Sequence, residues 1–174
     1  MTSTLKERRA DASARQGTMR KPAAPKPVKG AHIITEHIDV GVPSDRAFEL
    51  WTDYEKWSEI FKNEFAKSSR SREAKRKVQV TAKIGPSQRQ WQADITESEP
   101  GQRISWRASG GLQAMGSTSF HILDDRLTHV MVEVEYRPTG LLEIVGNLFR
   151  MQRRRVRRDL RLFKNYAELR GESA

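Results

Sequence analysis

Apolar and polar residues alternate over most of the chain between residues 31 and 136, which is typical of antiparallel strands with one buried face. The first alternating segment begins near residue 31 and ends at Pro43. Helical spacing follows, and it predicts a short helix with Ser44 as its N-cap. A second short helix is predicted around Trp57. The chain therefore opens with one strand and two short helices.

Residues 65–136 contain turn signals at 85–86, 100–101, 110–111 and 124–125, at intervals that fit successive hairpins. Because side chains alternate between the two faces of a strand, the parity of each segment predicts its inward face. The inward positions are Val78, Val80, Ala82, Ile84, Trp91, Ala93, Ile95, Ile104, Trp106, Ala108, Thr118, Phe120, Ile122, Val130, Val132, Val134 and Tyr136.

The pattern returns to helical spacing after residue 140, and it predicts one amphipathic helix of about 28 residues. A curved antiparallel sheet of about seven strands, closed by this long helix, buries both apolar faces. We therefore predict an α+β domain over residues 31–170. Residues 1–30 have no sustained apolar period and are rich in lysine, arginine and proline, so a disordered basic tail is predicted there. Residues 171–174 are predicted to be disordered as well.

The net charge of +10 lies at the two ends of the chain. Residues 1–30 hold eight basic and two acidic side chains, and residues 148–174 hold nine basic and three acidic ones. An acidic partner would therefore meet the tail and the last helix. The chain has no cysteine, which excludes disulfides, thiolate metal sites and a cysteine nucleophile. No segment is apolar enough to span a bilayer, and a cytoplasmic location is expected.

The order of elements and several short phrases together resemble the polyketide cyclase/dehydrase branch of the START/Bet v 1-like helix-grip superfamily, which includes coenzyme Q-binding proteins. The resemblance covers roughly residues 33–170. Its carriers are IDVGVP at 38–43, AFELWTD at 47–53, WQADITE at 91–97, PGQRISWR at 100–107, YRPTG at 136–140 and RVRRDL at 155–160. The Arg-rich run 150–161 and the basic tail depart from the family pattern.

The resemblance implies a cavity between the sheet and the long helix that receives a hydrophobic small molecule, such as a polyketide, sterol, lipid or quinone. Many relatives only bind their ligand, so the resemblance does not imply a reaction. The residues expected to contact the ligand are Arg89, Trp91, Trp106, Phe120, Val132, Tyr136 and Phe149. Aromatic residues at strand parity also serve as simple core, and the sequence leaves both roles open. No cofactor is predicted.

If the protein is an enzyme, a polyketide cyclase or aromatase is the expected type, with Arg89 and Tyr136 as the candidate catalytic residues. Arg89 shares the parity of Trp91, so it would face the cavity mouth and could hold an enolate or carboxylate there. Aromatase/cyclase relatives are similar in using a pocket arginine. The alternative is that the strand begins after Arg89 and the side chain is solvated.

Glu36 shares the parity of its apolar neighbours in the first strand. If it is buried, it could be a base with a raised pKa; the alternative is an exposed acid at the sheet edge. The four histidines are scattered rather than set at metal-ligand spacing, so surface positions and no metal site are predicted.

The last helix carries six arginines that could grip the phosphates of a nucleic acid or an anionic lipid. They are Arg153, Arg154, Arg155, Arg157, Arg158 and Arg161. A solvated helix surface is the alternative. Three hypotheses follow: a module that binds a hydrophobic ligand, a cyclase, or an adaptor whose basic tail and last helix bind an acidic protein, a ribosome or a nucleic acid.

Overall fold

The computed structural model describes residues 31–61, 64–70, 76–84, 87–109, 113–137 and 145–171. Within these ranges, the side chains of residues 64–70, 76, 82–84, 87–89 and 145–149 are not described. The predicted tail 1–30 and the last residues 172–174 lie outside the described residues.

Seven strands form one antiparallel sheet in the described part of the chain, in the order β1-β7-β6-β5-β4-β3-β2. The strands are β1 (His32–Val40), β2 (Glu64–Arg70), β3 (Arg76–Ile84), β4 (Ser87–Glu99), β5 (Arg103–Ser109), β6 (Ala114–Asp124) and β7 (Leu127–Tyr136). Strands β2 to β7 follow one another as hairpins, and β1 crosses to pair with β7. The predicted meander and its strand number are confirmed.

Two short helices, α1 (Ser44–Thr52) and α2 (Trp57–Ile60), follow β1, with one turn of 3₁₀-helix at Tyr54–Lys56 between them. The long helix α3 runs from Val145 to Gly171. The start predicted for it near residue 141 lies outside the described residues. Its end at Gly171 is one residue past the predicted domain boundary.

Polar contacts fasten α3 along β1, with the two elements running in the same direction. Lys164 Nζ donates to the carbonyl oxygen of Asp39 at 2.7 Å, and the backbone N–H of Gly41 donates to Glu168 Oε1 at 2.8 Å. Nearer the start of α3, Glu36 binds two arginines of the helix. One side of α3 therefore lies over the edge of the sheet that β1 forms, and the cavity described below opens beside it.

The core lies where α1, α3 and the concave face of the sheet meet. Phe163 and Ala167 of α3 are fully buried there, beside Val40 and Val130 of the sheet. Trp51 of α1 packs edge-to-face on Phe163, with 4.9 Å between the ring centroids. The apolar stripe that predicted an amphipathic last helix is confirmed by this contact.

Two local predictions are wrong. Helix α1 begins at Ser44 itself, and its N-cap is Pro43, which offers no side-chain hydrogen bond. The second is Ile122, which was predicted to face inward but is 71% exposed. Strand β5 pairs with β6 only as far as Ser119, and the register between β6 and β7 shifts after Ile122. This end of the β6–β7 hairpin therefore extends beyond the helices that could cover it.

Candidate ligand-binding cavity

A cavity of about 260 Å³ lies between the concave face of the sheet and the part of α3 that precedes Leu160. Its walls are mostly apolar. Aromatic side chains in the lining are Trp51, Tyr54, Trp57, Phe61, Trp91, Trp106 and Tyr136. Aliphatic side chains in the lining are Ile34, Val78, Val80, Ala93, Ile95, Ile104, Ala114, Val132, Val134, Val156 and Leu160. All four tryptophans of the chain therefore face this one space.

The two short helices build one wall of the cavity as a set of interlocked rings. Trp57 packs edge-to-face on Tyr54 at 5.3 Å and on Phe61 at 5.4 Å between ring centroids. Its indole N–H donates to the carbonyl oxygen of Trp51 at 3.0 Å. Such contacts fix the ring positions, so this wall is preformed rather than assembled around a ligand.

Most of the polar side chains in the described lining come from about two turns of α3: Gln152, Arg155 and Asp159. The spacing of three and four residues places all three on the same face of the helix. Arg155 Nε lies 3.6 Å from Asp159 Oδ2, and both side chains are only 16% exposed. Arg158 also donates to Asp159 Oδ1, at 2.9 Å. Burial raises the pKa of Asp159 above its ordinary value, and the two arginines oppose only part of that rise.

Tyr136 contributes a second polar group, at the end of β7. Its hydroxyl is buried and has no hydrogen-bond partner among the described residues. Burial raises the pKa of this phenol, so it remains protonated at neutral pH and can donate a hydrogen bond. An unsatisfied buried hydroxyl costs about 1–3 kcal/mol, which a ligand with an acceptor atom would recover.

Glu36 matches neither alternative that its sequence position left open. The residue is buried, with 7% of its surface exposed, so it is not a solvated edge acid. Its carboxylate oxygens accept from Arg153 Nε at 2.5 Å and from Arg157 Nε at 2.6 Å. Burial alone would raise its pKa, but the hydrogen bonds and charges of Arg157 and Arg153 outweigh burial and lower it. Glu36 is therefore an ionised structural partner of α3 and not a general base.

The structure brings together four of the residues expected to contact a ligand: Trp91, Trp106, Val132 and Tyr136 all line the cavity. Phe120 does not. It is buried in the core, where its ring meets Phe48 at 5.6 Å and Trp51 at 6.5 Å. The strand parity of Phe120 correctly predicted that its side chain faces inward. Helix α1, however, covers that end of the sheet and fills the space in front of the Phe120 ring.

Two further residues expected to contact the ligand are Arg89 and Phe149, whose side chains are not among those described. The backbone of Arg89 lies within β4, opposite Ala82 of β3, because the strand begins at Ser87. The alternative in which the strand begins after Arg89 is therefore wrong.

Sequence reasoning missed Asp159 and Arg155 as cavity residues. Their signal was the spacing from Gln152, which interrupts the apolar stripe of α3.

The six arginines predicted as one polyanion-binding set have different surroundings. Arg153 and Arg157 bind Glu36, Arg158 binds Asp159, and Arg155 lines the cavity. Only Arg154 and Arg161 remain exposed without an ion pair to a described carboxylate. A common role of all six in binding a polyanion stays a prediction. The position of Glu36 against the helix could not be anticipated, because Glu36 is far from these arginines in sequence.

Within the described residues, no group of histidine and carboxylate side chains is arranged to hold a metal ion. His37 and His121 are exposed, as predicted, while His129 is partly buried with its Nδ1 2.6 Å from Asp39 Oδ1. No helix in the described part of the chain is both long and apolar enough to cross a membrane.

A long helix held by a curved antiparallel sheet over an apolar cavity defines the helix-grip class of protein. The model of the polyketide cyclase/dehydrase and lipid transport family matches residues 40–163. An uncharacterized 17.2 kDa protein, encoded in the melC2-rnhH intergenic region of Streptomyces lincolnensis, is 31% identical over 143 residues, which cover 80% of this chain and 91% of that protein. The chain belongs to the polyketide cyclase/dehydrase and lipid transport family.

Solved structures with low sequence identity share the fold. The Zhui aromatase/cyclase from Streptomyces sp. R1128 superposes with a TM-score of 0.70 at 14% identity, covering 80% of this chain and 95% of that one. A START superfamily protein from Mycobacterium smegmatis superposes with a TM-score of 0.63 at 11% identity, covering 82% of this chain and 98% of that one. The resemblance noted in the sequence is thereby confirmed at the level of family and fold.

Proposed function

We propose that this protein binds a hydrophobic small molecule with one polar end, of polyketide, lipid or quinone type, in the cavity between the sheet and α3. The observation that carries the proposal is the lining: apolar walls that include all four tryptophans, with polar groups gathered on α3 and at Tyr136. A volume of about 260 Å³ is close to the lower end of the range of about 300–1,000 Å³ typical of small-molecule sites.

The polar groups set the chemistry of the ligand's polar end. The Tyr136 hydroxyl is a donor without a partner, which favours a carbonyl or ether oxygen opposite it. Arg155 already binds Asp159, which also binds Arg158, so neither Arg155 nor Asp159 is a free charge at the cavity. A carbonyl-bearing ring system satisfies this arrangement better than a fatty acid, whose carboxylate would compete with Asp159 for Arg155.

The test uses tryptophan fluorescence, because every tryptophan lines the cavity and reports on its contents. We expect naphthoquinone-like and polyketide-like ligands to quench this emission and to displace a bound apolar dye. Val156→Phe should block the cavity and weaken binding at least tenfold. The matched control is Leu169→Phe on the same helix, whose side chain is 71% exposed. If Val156→Phe binds as wild type does, the cavity is not the binding site.

A second variant tests the polar end. Tyr136→Phe removes one hydrogen bond, worth about 0.5–1.5 kcal/mol, and should weaken a carbonyl ligand about two- to tenfold. It should leave the affinity for a pure hydrocarbon unchanged or slightly improved, since an unsatisfied hydroxyl disappears. Equal losses for both ligands would contradict the role proposed for this hydroxyl.

A cyclase is the second candidate function, and the unpartnered Tyr136 hydroxyl is the observation that favours it. In this candidate mechanism the phenol donates to a ketone oxygen and steers enolisation, while Arg89 holds the enolate or carboxylate. The test is incubation with a reactive poly-β-ketone mimic and product analysis by mass spectrometry. Arg89→Ala and Tyr136→Phe should each lower the rate of ring closure while the dye still binds. Spontaneous product ratios in the presence of wild-type protein would reject turnover.

The adaptor hypothesis, in which an acidic protein, a ribosome or a nucleic acid is the partner, has no support among the relatives. It stays a prediction, as does the cytoplasmic location.

A further inference from the structure

The outer side of α3 carries a row of four arginines, which we call the arginine ridge: Arg150, Arg154, Arg158 and Arg161. Spacings of four, four and three residues place them on one face of the helix. The row extends over about 16 Å, given a rise of about 1.5 Å per residue. All four residues are exposed.

The ridge lies opposite the buried side of α3. Leu160, Phe163 and Ala167 point into the core, with at most 2% of their surfaces exposed. Half a turn away from them, the four ridge arginines are exposed, so packing in the core does not explain why arginine occupies these positions. Lysine, glutamate or glutamine would serve as well on a merely solvated face.

The charge of the ridge is mostly uncompensated. The described carboxylates nearest the helix are already engaged: Glu36 binds Arg153 and Arg157, and Asp159 binds Arg158 and Arg155. Arg150, Arg154 and Arg161 have no ion pair with a described carboxylate. Like charges at a spacing of four residues destabilise a helix slightly, and an anionic surface lying against the ridge would offset this repulsion.

We infer that the arginine ridge binds the phosphate surface of an anionic lipid bilayer. The choice of lipid rests on the proposed function and on the neighbours of the ridge. Met151, with 46% of its surface exposed, lies between the ridge and the cavity side of α3, which Gln152 and Arg155 mark. A row of arginines is attracted to the phosphates of an anionic bilayer, and the exposed Met151 can enter the interface beside them.

A nucleic acid fits less well. Proteins that bind single strands place aromatic rings among their basic residues, and the described outer face of α3 has arginines without such rings. Bound to a bilayer through the ridge, the protein would hold the helix wall of its cavity beside the lipid, where hydrophobic ligands partition.

The experiment measures flotation of the full chain with vesicles of phosphatidylglycerol and phosphatidylcholine, and with phosphatidylcholine alone. The ridge variant is Arg150→Gln, Arg154→Gln and Arg161→Gln together; Arg158 is kept because it binds Asp159. The control variant changes three arginines outside α3 that are exposed or partly exposed, Arg107, Arg126 and Arg137, to glutamine. Both variants lose three charges and keep the basic tail, so only the position of the lost charge differs.

We expect the ridge variant to bind anionic vesicles about 100-fold more weakly, since each arginine at such a surface strengthens binding about fivefold. The control variant should lose less than tenfold, and wild type should not bind phosphatidylcholine alone. Binding should also fall as salt rises. Equal losses in the two variants, or no loss in the ridge variant, would overturn the inference. A ridge variant that loses affinity for a short RNA or DNA but keeps its vesicle binding would overturn it in favour of a nucleic acid.

The cavity is assayed separately in the same variants. The ridge variant should displace an apolar dye as wild type does, because the three substituted residues do not line the cavity. Failure of all proteins to take up ligands would count against the proposed function, whereas the vesicle result would still decide the role of the ridge.

Discussion

The two halves of α3 lie on the same sheet yet are held by different interactions. The second half buries Leu160, Phe163 and Ala167 in a filled core. The first half faces the cavity with Gln152, Arg155, Val156 and Asp159, and so lacks that packing. Its described link to β1 is ionic, through the two arginines that bind Glu36.

The difference shows how one fold supplies both stability and a binding site. Aromatic residues of α1 fill the space at one end of the sheet, where Trp51 meets Phe163. At the other end the rings of Trp91 and Trp106 stand along the walls and leave the middle open. An empty space costs the dispersion contacts that a filled core would have. The ion pairs of the buried Glu36 with the half-exposed Arg153 and Arg157 then hold the helix over the space without filling it.

The largest effect expected is in the packed half. Phe163→Ala removes a fully buried ring and should lower the free energy of unfolding by about 3–5 kcal/mol. Urea denaturation followed by circular dichroism measures it. Leu169→Ala is the control on the same helix, since Leu169 is 71% exposed and should change stability by about 0.5 kcal/mol at most. Similar losses in the two variants would mean that α3 is not packed as described.

The ionic link of the first half should contribute less. Glu36→Gln keeps the shape of the side chain but replaces two charge-assisted hydrogen bonds, and we expect a loss of about 2 kcal/mol. Hydrogen exchange should rise in residues 150–157 more than in residues 160–167. Glu49→Gln, which breaks the exposed pair with Arg46, is the control and should cost about 0.5 kcal/mol or less. Uniform protection along α3 in Glu36→Gln would contradict the division of the helix into two halves.

The contribution of Glu36 should also depend on pH. Its pKa in the folded protein is below the ordinary value of 4.5. A lowered carboxyl pKa adds stability that is fully present above pH 4.5 and is lost as the pH falls through the folded pKa. The difference in unfolding free energy between wild type and Glu36→Gln should therefore be largest near pH 7 and shrink towards pH 3. A difference that stays constant over this range would show that the pKa of Glu36 is the same in the folded and the unfolded protein.

Strand parity predicted most of the side chains that face inward, Ile122 excepted, because the period of two fixes a face once one residue is buried. Trp91, Trp106, Val132 and Tyr136 were identified in this way. Parity cannot tell a residue that fills the core from one that lines a cavity. Phe120 faces inward as Trp106 does, and only the position of α1 decides that its ring is covered.

No pattern in the sequence predicts the ionic contacts between Glu36 and α3. Glu36 lies 117 residues from Arg153 and 121 residues from Arg157, so no local spacing joins them. Asp159 was visible as the lone acid in an Arg-rich run, but its importance depends on the side of α3 it occupies. The periodicity of apolar residues predicts which side chains are buried, but it does not predict which charged residues form ion pairs across the fold.

The smallest effect expected separates a core position from a cavity wall on one strand. Val130 is fully buried, whereas Val134, four residues further along β7 and on the same face, lines the cavity. Val130→Ala should cost about 2 kcal/mol, because it removes two methyl groups and leaves a void. Val134→Ala should cost about 1 kcal/mol, since the space beside it is already open, and it alone should change the affinity for an apolar dye. Equal costs, with dye binding unchanged in both, would mean that Val134 stands in a filled core and that the cavity is closed in solution.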